Sequence, residues 1–173
     1  MKKASNISVA GKPTITISLK PHLADFCRYL FNETKEGAII LTRHHDFGKQ
    51  IAAHVQTCEL PSRRPIWKDA ITFVLPITKN NHYALSNSFY TVSKWGEEKI
   101  QDYIETEFKR TVRNMFEVGY SKNRRQQDIV ESILKGFNIK NGALNFETIK
   151  KIDYRLREKR KINLFLELQT SLF

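Results

Sequence analysis

The string NFETIKKIDYRLREKRK, residues 145–161, carries seven lysines and arginines against three acids. Side chains of this kind bind polyanions. A guanidinium bonds bidentately to a guanine edge, and ammonium and phenol groups reach phosphate oxygens. Placed at about 100° per residue on a helix, Phe146, Ile149, Ile152 and Leu156 gather into one apolar stripe. Lys150, Lys151, Tyr154, Arg155, Arg157 and Lys161 fall away from it, with Glu147 and Glu158 among them and Asp153 nearer the seam. One side anchors and the other presents basic donors around a tyrosine, which is what a recognition helix needs. The competing reading is a solvated surface helix, because lysine and arginine are the usual exposed residues of any helix.

A second constellation is TRHHDFGKQIAAH, with His44, His45, Asp46 and His54, and with Cys27 and Cys58 elsewhere. A zinc centre or a metal-dependent nuclease needs three or four such ligands to converge. Adjacent histidines on an extended segment point to opposite faces, and neither CxxC nor HExxH spacing is present. The plain alternative is a polar turn with solvated histidines and two buried cysteines. Arg63, Arg64 and Lys68 surround Trp67 in a third cluster. Such a loop stacks a base or binds backbone, or its tryptophan seals a core edge. Glu97, Glu98, Glu105 and Glu107 read as the solvent face of a long helix. No P-loop, GxGxxG or GxSxG string occurs, so neither a cofactor nor a catalytic residue is expected.

The elements that must position the basic helix follow from periodicity. Lys122, Arg124 and Arg125 open the preceding helix, where they would clamp neighbouring backbone. Asn123 followed by Gln126 has the form of a capping box, and Ile129, Val130, Ile133, Leu134 and Phe137 supply the apolar face. Gly136 is placed to end that helix in a left-handed turn, FNIKNGAL with Asn141-Gly142 connects, and Asn145 caps the basic helix. This connector of about eight residues is longer than a strict helix-turn-helix turn, so the pair is only loosely of that kind. Upstream, Ile100, Tyr103, Ile104, Phe108, Val112, Met115 and Phe116 trace a long helix closed by Gly119.

The N-terminal half reads differently. Thr14–Leu19 alternates like a half-buried strand, and Pro21 opens a helix with Leu23, Phe26, Cys27, Leu30 and Phe31 on one face. Ala38–Thr42 is a short buried-strand candidate after Gly37. The segment from Asp46 is ambiguous and leans to a short helix capped by Asp46, with Phe47, Ile51, Val55 and Cys58 as its stripe. Asp69–Thr78 is the strongest strand, although Pro76 argues for an edge position or an end near there. The expected fold is α+β. A small mixed sheet of about three strands with short helices precedes a helical unit with a long helix and the loose pair. A flexible arm over 1–11, an α+β unit over 12–92 and a helical unit over 93–173 are the expected divisions, with the last two either separate or packed as one domain.

Composition bounds the partner class. The chain has 173 residues, 40% apolar, with 19 aromatics, enough for a real core. Residues 121–173 contain 12 basic and 6 acidic side chains and so provide +6 of the net charge of +11. A field concentrated in this way attracts polyanions. No apolar run is long enough to span a bilayer, and the start lacks a signal peptide's apolar stretch, so no membrane and a cytoplasmic location are expected.

Asp128 to Lys159, DIVESILKGFNIKNGALNFETIKKIDYRLREK, resembles the C-terminal part of small, uncharacterised basic proteins of bacteriophages and mobile elements. It is also similar to helix-turn-helix regions in general. That resemblance implies DNA or RNA handling in a mobile-element setting and transfers no residue roles. The expectation is a non-enzymatic nucleic-acid-binding protein that reads DNA sooner than RNA, because its reader is a helix able to enter a major groove. Homo-oligomerisation is expected with it, since one short reader helix needs a second copy or an arm for affinity. An assembly or interaction protein binding an acidic partner is the alternative. A small metal-dependent nuclease built on His44, His45 and Asp46 is the third reading.

Overall fold

The computed structural model describes residues 12–42, 44–60, 70–77, 81, 88–140 and 142–170. The chain is α+β and falls into two compact units, 1–105 and 106–173. The division lies inside a long helix, where the sequence reading set it just before that helix.

In the first unit, β1 (Thr14–Ser18), β2 (Ile39–Ile40) and β4 (Ala70–Val74) form a mixed sheet in the order β1-β4-β2. Strand β1 runs antiparallel to β4 and β2 parallel to it. Alternation decides the register. Ile15 faces Phe73 and Ile17 faces Ile71 on the buried side, while Thr16 and Thr72 meet across the other face with their hydroxyls 3.0 Å apart. Strand β4 is therefore central and not an edge, and it ends before Pro76, which has no N–H to continue a ladder. Helix α1 (Pro21–Leu30) buries Leu23, Ala24, Phe26 and Cys27. Gly37, at φ 77°, makes the left-handed turn that leads into β2.

Helix α2 (Asp46–His54) is shorter than its sequence stripe. Val55 and Cys58 belong to β3 (Val55–Cys58), which pairs with β5 (Phe89–Val92) as a separate two-stranded ribbon. Strand β5 lies in a stretch whose sequence carries no strong strand or helix pattern. His45 occupies the N-cap position of α2 and makes no side-chain cap bond, and Asp46 stands one place later in the first turn. Phe47 ties the unit together. It stacks on Phe31 at 5.0 Å and Tyr103 at 5.8 Å, and meets the edge of Phe73 at 5.5 Å.

Helix α3 (Lys94–Ser121) contributes residues 106–121 to the second unit, with α4 (Gln126–Gly136) and α5 (Ala143–Thr170). Phe108, Val112 and Phe116 of α3, Ile129, Val130, Ile133 and Leu134 of α4, and Ile149 and Ile152 of α5 form its core. Two asparagines make the turns. Asn123, at φ 55°, follows α3, with Arg124 N–H donating to Gly119 O at 3.0 Å and Asn123 N–H to Tyr120 O at 3.0 Å. Asn138, at φ 54°, repeats the pattern after α4, with Ile139 N–H donating to Leu134 O at 2.9 Å. Both are Schellman-type closures with asparagine in the left-handed position, a role its short polar side chain tolerates.

These closures correct four expectations. Gly119 does not end α3, and Gly136 does not supply the left-handed turn. The Asn123–Gln126 capping box does not form, because Asn123 closes the previous helix and Gln126 turns its amide elsewhere. Asn145 lies inside α5 and donates to Lys140 O at 2.9 Å, so it is not the N-cap. The Asn141-Gly142 turn falls partly outside the described residues, and the arm 1–11 and the Arg63–Lys68 cluster fall wholly outside them. Gly119 serves packing: a Cβ there would stand 2.5 Å from Ile129 Cδ1. Gly136 has open space around it. Gly119→Val is therefore expected to lower stability by about 1–3 kcal/mol, and Gly136→Ala to raise it by about 0.5–1 kcal/mol. Urea unfolding of the two variants measures both.

Candidate nucleic-acid interface

Helix α5 is anchored along one side by Ile149 and Ile152, with Phe146 and Leu156 half-buried beside them. Asp153 lies on the same side and is fully buried. A carboxylate taken out of water must find donors or cost several kcal/mol, and this one finds three. Tyr120 Oη donates to Asp153 Oδ2 at 2.8 Å from α3, and Gln126 Nε2 donates to the same oxygen at 2.6 Å from α4. Arg157, one turn on in α5, closes an ion pair at 2.7 Å. The Arg157 guanidinium also donates to Tyr120 Oη and lies 4.7 Å from the centre of that ring. Arg160, a turn beyond Arg157 on α5, pairs with Glu117, a turn before Tyr120 on α3. Asp153 therefore links all three helices of the unit through one oxygen, while its Oδ1 is buried without a partner among the described residues.

The consequence is rotational. With Ile149, Ile152 and Asp153 facing inward, the opposite side of α5 faces outward. Lys150, Lys151, Tyr154, Arg155 and Lys161 are all exposed. They are not equivalent. Lys150 reaches Glu147 at 3.5 Å, and the Tyr154 hydroxyl donates to Glu158 at 2.8 Å, a bond that pushes its phenol pKa above the ordinary value. Lys151, Arg155 and Lys161 make no ion pair among the described residues. Lys159, which the sequence reading omits, is exposed in the same way and extends Lys151 and Arg155 into a row at i, i+4 and i+8. Angle alone could have found it.

The other proposed contacts scatter. Arg157 is committed to Asp153 and Tyr120. Lys122 and Arg124 are exposed, but they line a groove between α3 and α4. Arg125 is exposed at the N-cap of α4 and makes no side-chain cap bond. Sequence reasoning placed Asp153 near the seam but missed Tyr120 and Gln126 as its partners. The available signal was a lone acid beside an apolar stripe.

The histidine constellation does not assemble. Among the described residues no group of three or more His, Cys, Asp and Glu side chains converges to hold a metal. Asp46 pairs with Lys49 at 2.9 Å, His45 meets the edge of Phe31, and His54 meets the edge of Trp95 at 5.4 Å. Cys27 is buried, and burial pushes its thiol up to about 12, so it stays a small apolar side chain at neutral pH. No helix of the described residues is long and apolar enough to cross a membrane.

Asp153→Ala is expected to cost about 2–4 kcal/mol, because it strands donors on two other helices. Tyr120→Phe removes the hydroxyl that donates to Asp153 and accepts from Arg157, and is expected to cost about 1.5–3 kcal/mol. Burial first, and then the bond to Asp153, raise the Tyr120 phenol above its usual value. A group raised in the folded state contributes stability that is complete below its unfolded pKa and is lost above it. The clamp should thus hold at neutral pH and weaken above about pH 10. Chemical denaturation across that range, with Tyr120→Phe as control, measures this effect.

No family model, curated protein or solved structure matches this chain.

Proposed function

We propose that this protein binds nucleic acid without catalysing a reaction on it, and that its target is duplex DNA. Its outer α5 face makes the contact. One observation carries the reading: Lys151 and Arg155 stand one turn apart on that face, both exposed and both without an acidic partner among the described residues. A helix whose basic residues were only solubilising would more often pair them with acids three or four residues away, as Lys150 is paired with Glu147 here. Arg155 is the side chain suited to a guanine edge, and Lys151, Lys159 and Lys161 are suited to phosphates. A helix of this width fits the major groove of B-DNA, whereas the deep, narrow major groove of an RNA duplex excludes it. One reader helix gives modest affinity, so a second copy on an adjoining half-site belongs to this reading. The mobile-element setting implied by the likeness of residues 128–159 belongs to it as well.

The test is affinity for a generic duplex against salt concentration. A log–log slope of about −3 to −4 is expected, corresponding to about four phosphates. Lys151→Ala should weaken binding on all sequences and flatten the slope by about 1. Arg155→Ala should weaken it as well, and Lys35→Ala should leave it unchanged. Absence of binding at low salt, or equal binding by all four proteins, would overturn the proposal.

A further inference from the structure

Between α3 and α4 lies a groove of about 440 Å³. Met115 and Val118 from α3 and Ile129 and Ile133 from α4 line it, and Val118 is 54% exposed. Gly119 lines it too. The helices touch there, where a side chain would strike Ile129. At the turn end stand Lys122 and Arg124, neither with an ion pair among the described residues, against Asp128 as the one carboxylate of the lining. The surrounding unit, residues 106–173, contains 15 basic and 8 acidic side chains, so the wider field has the same sign as the rim.

We infer that this groove docks an acidic amphipathic helix of a partner protein, with apolar side chains against Met115 and Val118 and carboxylates against Lys122 and Arg124. The lining dictates the shape. Met115 and Val118, spaced i, i+3 on α3, give the open apolar wall, and Ile129 and Ile133 lie buried behind it, so an apolar row at helical spacing on a third helix meets that wall. The volume is that of a binding cleft, and its lining is predominantly apolar. Charge selects the occupant. A basic peptide meets two cations and a positive unit, and a basic helix of a second copy seated in the groove would set like charge against Lys122 and Arg124. Nucleic acid satisfies the cations but offers no row of aliphatic side chains to cover the apolar wall. The inference is independent of the α5 reading. It gives Lys122 and Arg124 a role there that α5 does not need.

The experiment adds a synthetic helical peptide to the full-length protein and follows backbone amide shifts. The peptide has leucines at i, i+3, i+4 and i+7 and glutamates on both flanks. Saturable shifts are expected within 111–119 and 122–133, with little change over 151–161. The same peptide with lysine for glutamate should bind at least about tenfold more weakly. Val118→Asp alters an exposed position and should abolish binding with an unchanged circular dichroism spectrum. Lys122→Glu combined with Arg124→Glu should reverse the preference between the peptides. The inference is overturned if neither peptide shifts these amides, if both bind alike, or if the shifts map to Lys151 and Arg155. It is also overturned if the groove proves occupied by a second copy, seen as self-association that Val118→Asp abolishes and the peptide does not displace.

Discussion

A buried carboxylate sets the geometry of the C-terminal unit. Asp153 is wholly enclosed and takes donors from Tyr120 on α3, Gln126 on α4 and Arg157 on its own helix. Apolar packing alone leaves a helix some freedom to roll, since aliphatic contacts carry no direction. The charge-assisted bonds from Tyr120 and Gln126, on two other helices, remove that freedom, because a roll in either direction would break at least one and leave a charge in the core. Directional bonding therefore decides which side of α5 faces water, and that side carries Lys151, Arg155 and Lys159.

The clamp depends in turn on local turn chemistry. Tyr120 and Gln126 reach the same oxygen because the chain reverses between them in a few residues, and Asn123 in the left-handed conformation makes that reversal possible. Gly119 lets α4 come close enough for Ile129 to occupy the space a side chain would take. A short turn, a missing side chain and a buried acid thus act together, each of little use without the others. The N-terminal unit is held differently, by Phe47 stacked among Phe31, Phe73 and Tyr103, with no buried charge in that cluster.

What was legible in the sequence was whatever repeats. The α+β class, the alternating strand at Thr14, the Leu23–Phe26–Cys27 face and the apolar stripe of α5 all come from a period, and the structure has them. What was illegible was whatever depends on a single contact. Gly119 looks like a helix end but serves packing, Gly136 does end its helix without making the left-handed turn, and two asparagines took the left-handed positions. Asn123 and Gln126 match a capping box by spacing, yet the Gln126 amide gains more from a buried carboxylate than from a solvated backbone group. Strand β5 lacks a strong alternating pattern because only Val92 of its four residues is buried. At the candidate site the outward orientation of Lys151 and Arg155 was readable from helical angles, whereas the capture of Arg157 by Asp153 and Tyr120 was not. Types and spacing give the face of a residue, not its partner.

The central claim is that the clamp leaves one row of α5 cations free and that duplex DNA occupies this row. Lysine acetylation followed by peptide mass spectrometry, with and without duplex DNA, tests it at individual residues. The account predicts protection of Lys151 and Lys159 on DNA binding, with Lys35 acetylated at an unchanged rate. Acetylation of Lys151 and Lys159 at the same rate in both samples, while DNA is bound, would contradict it.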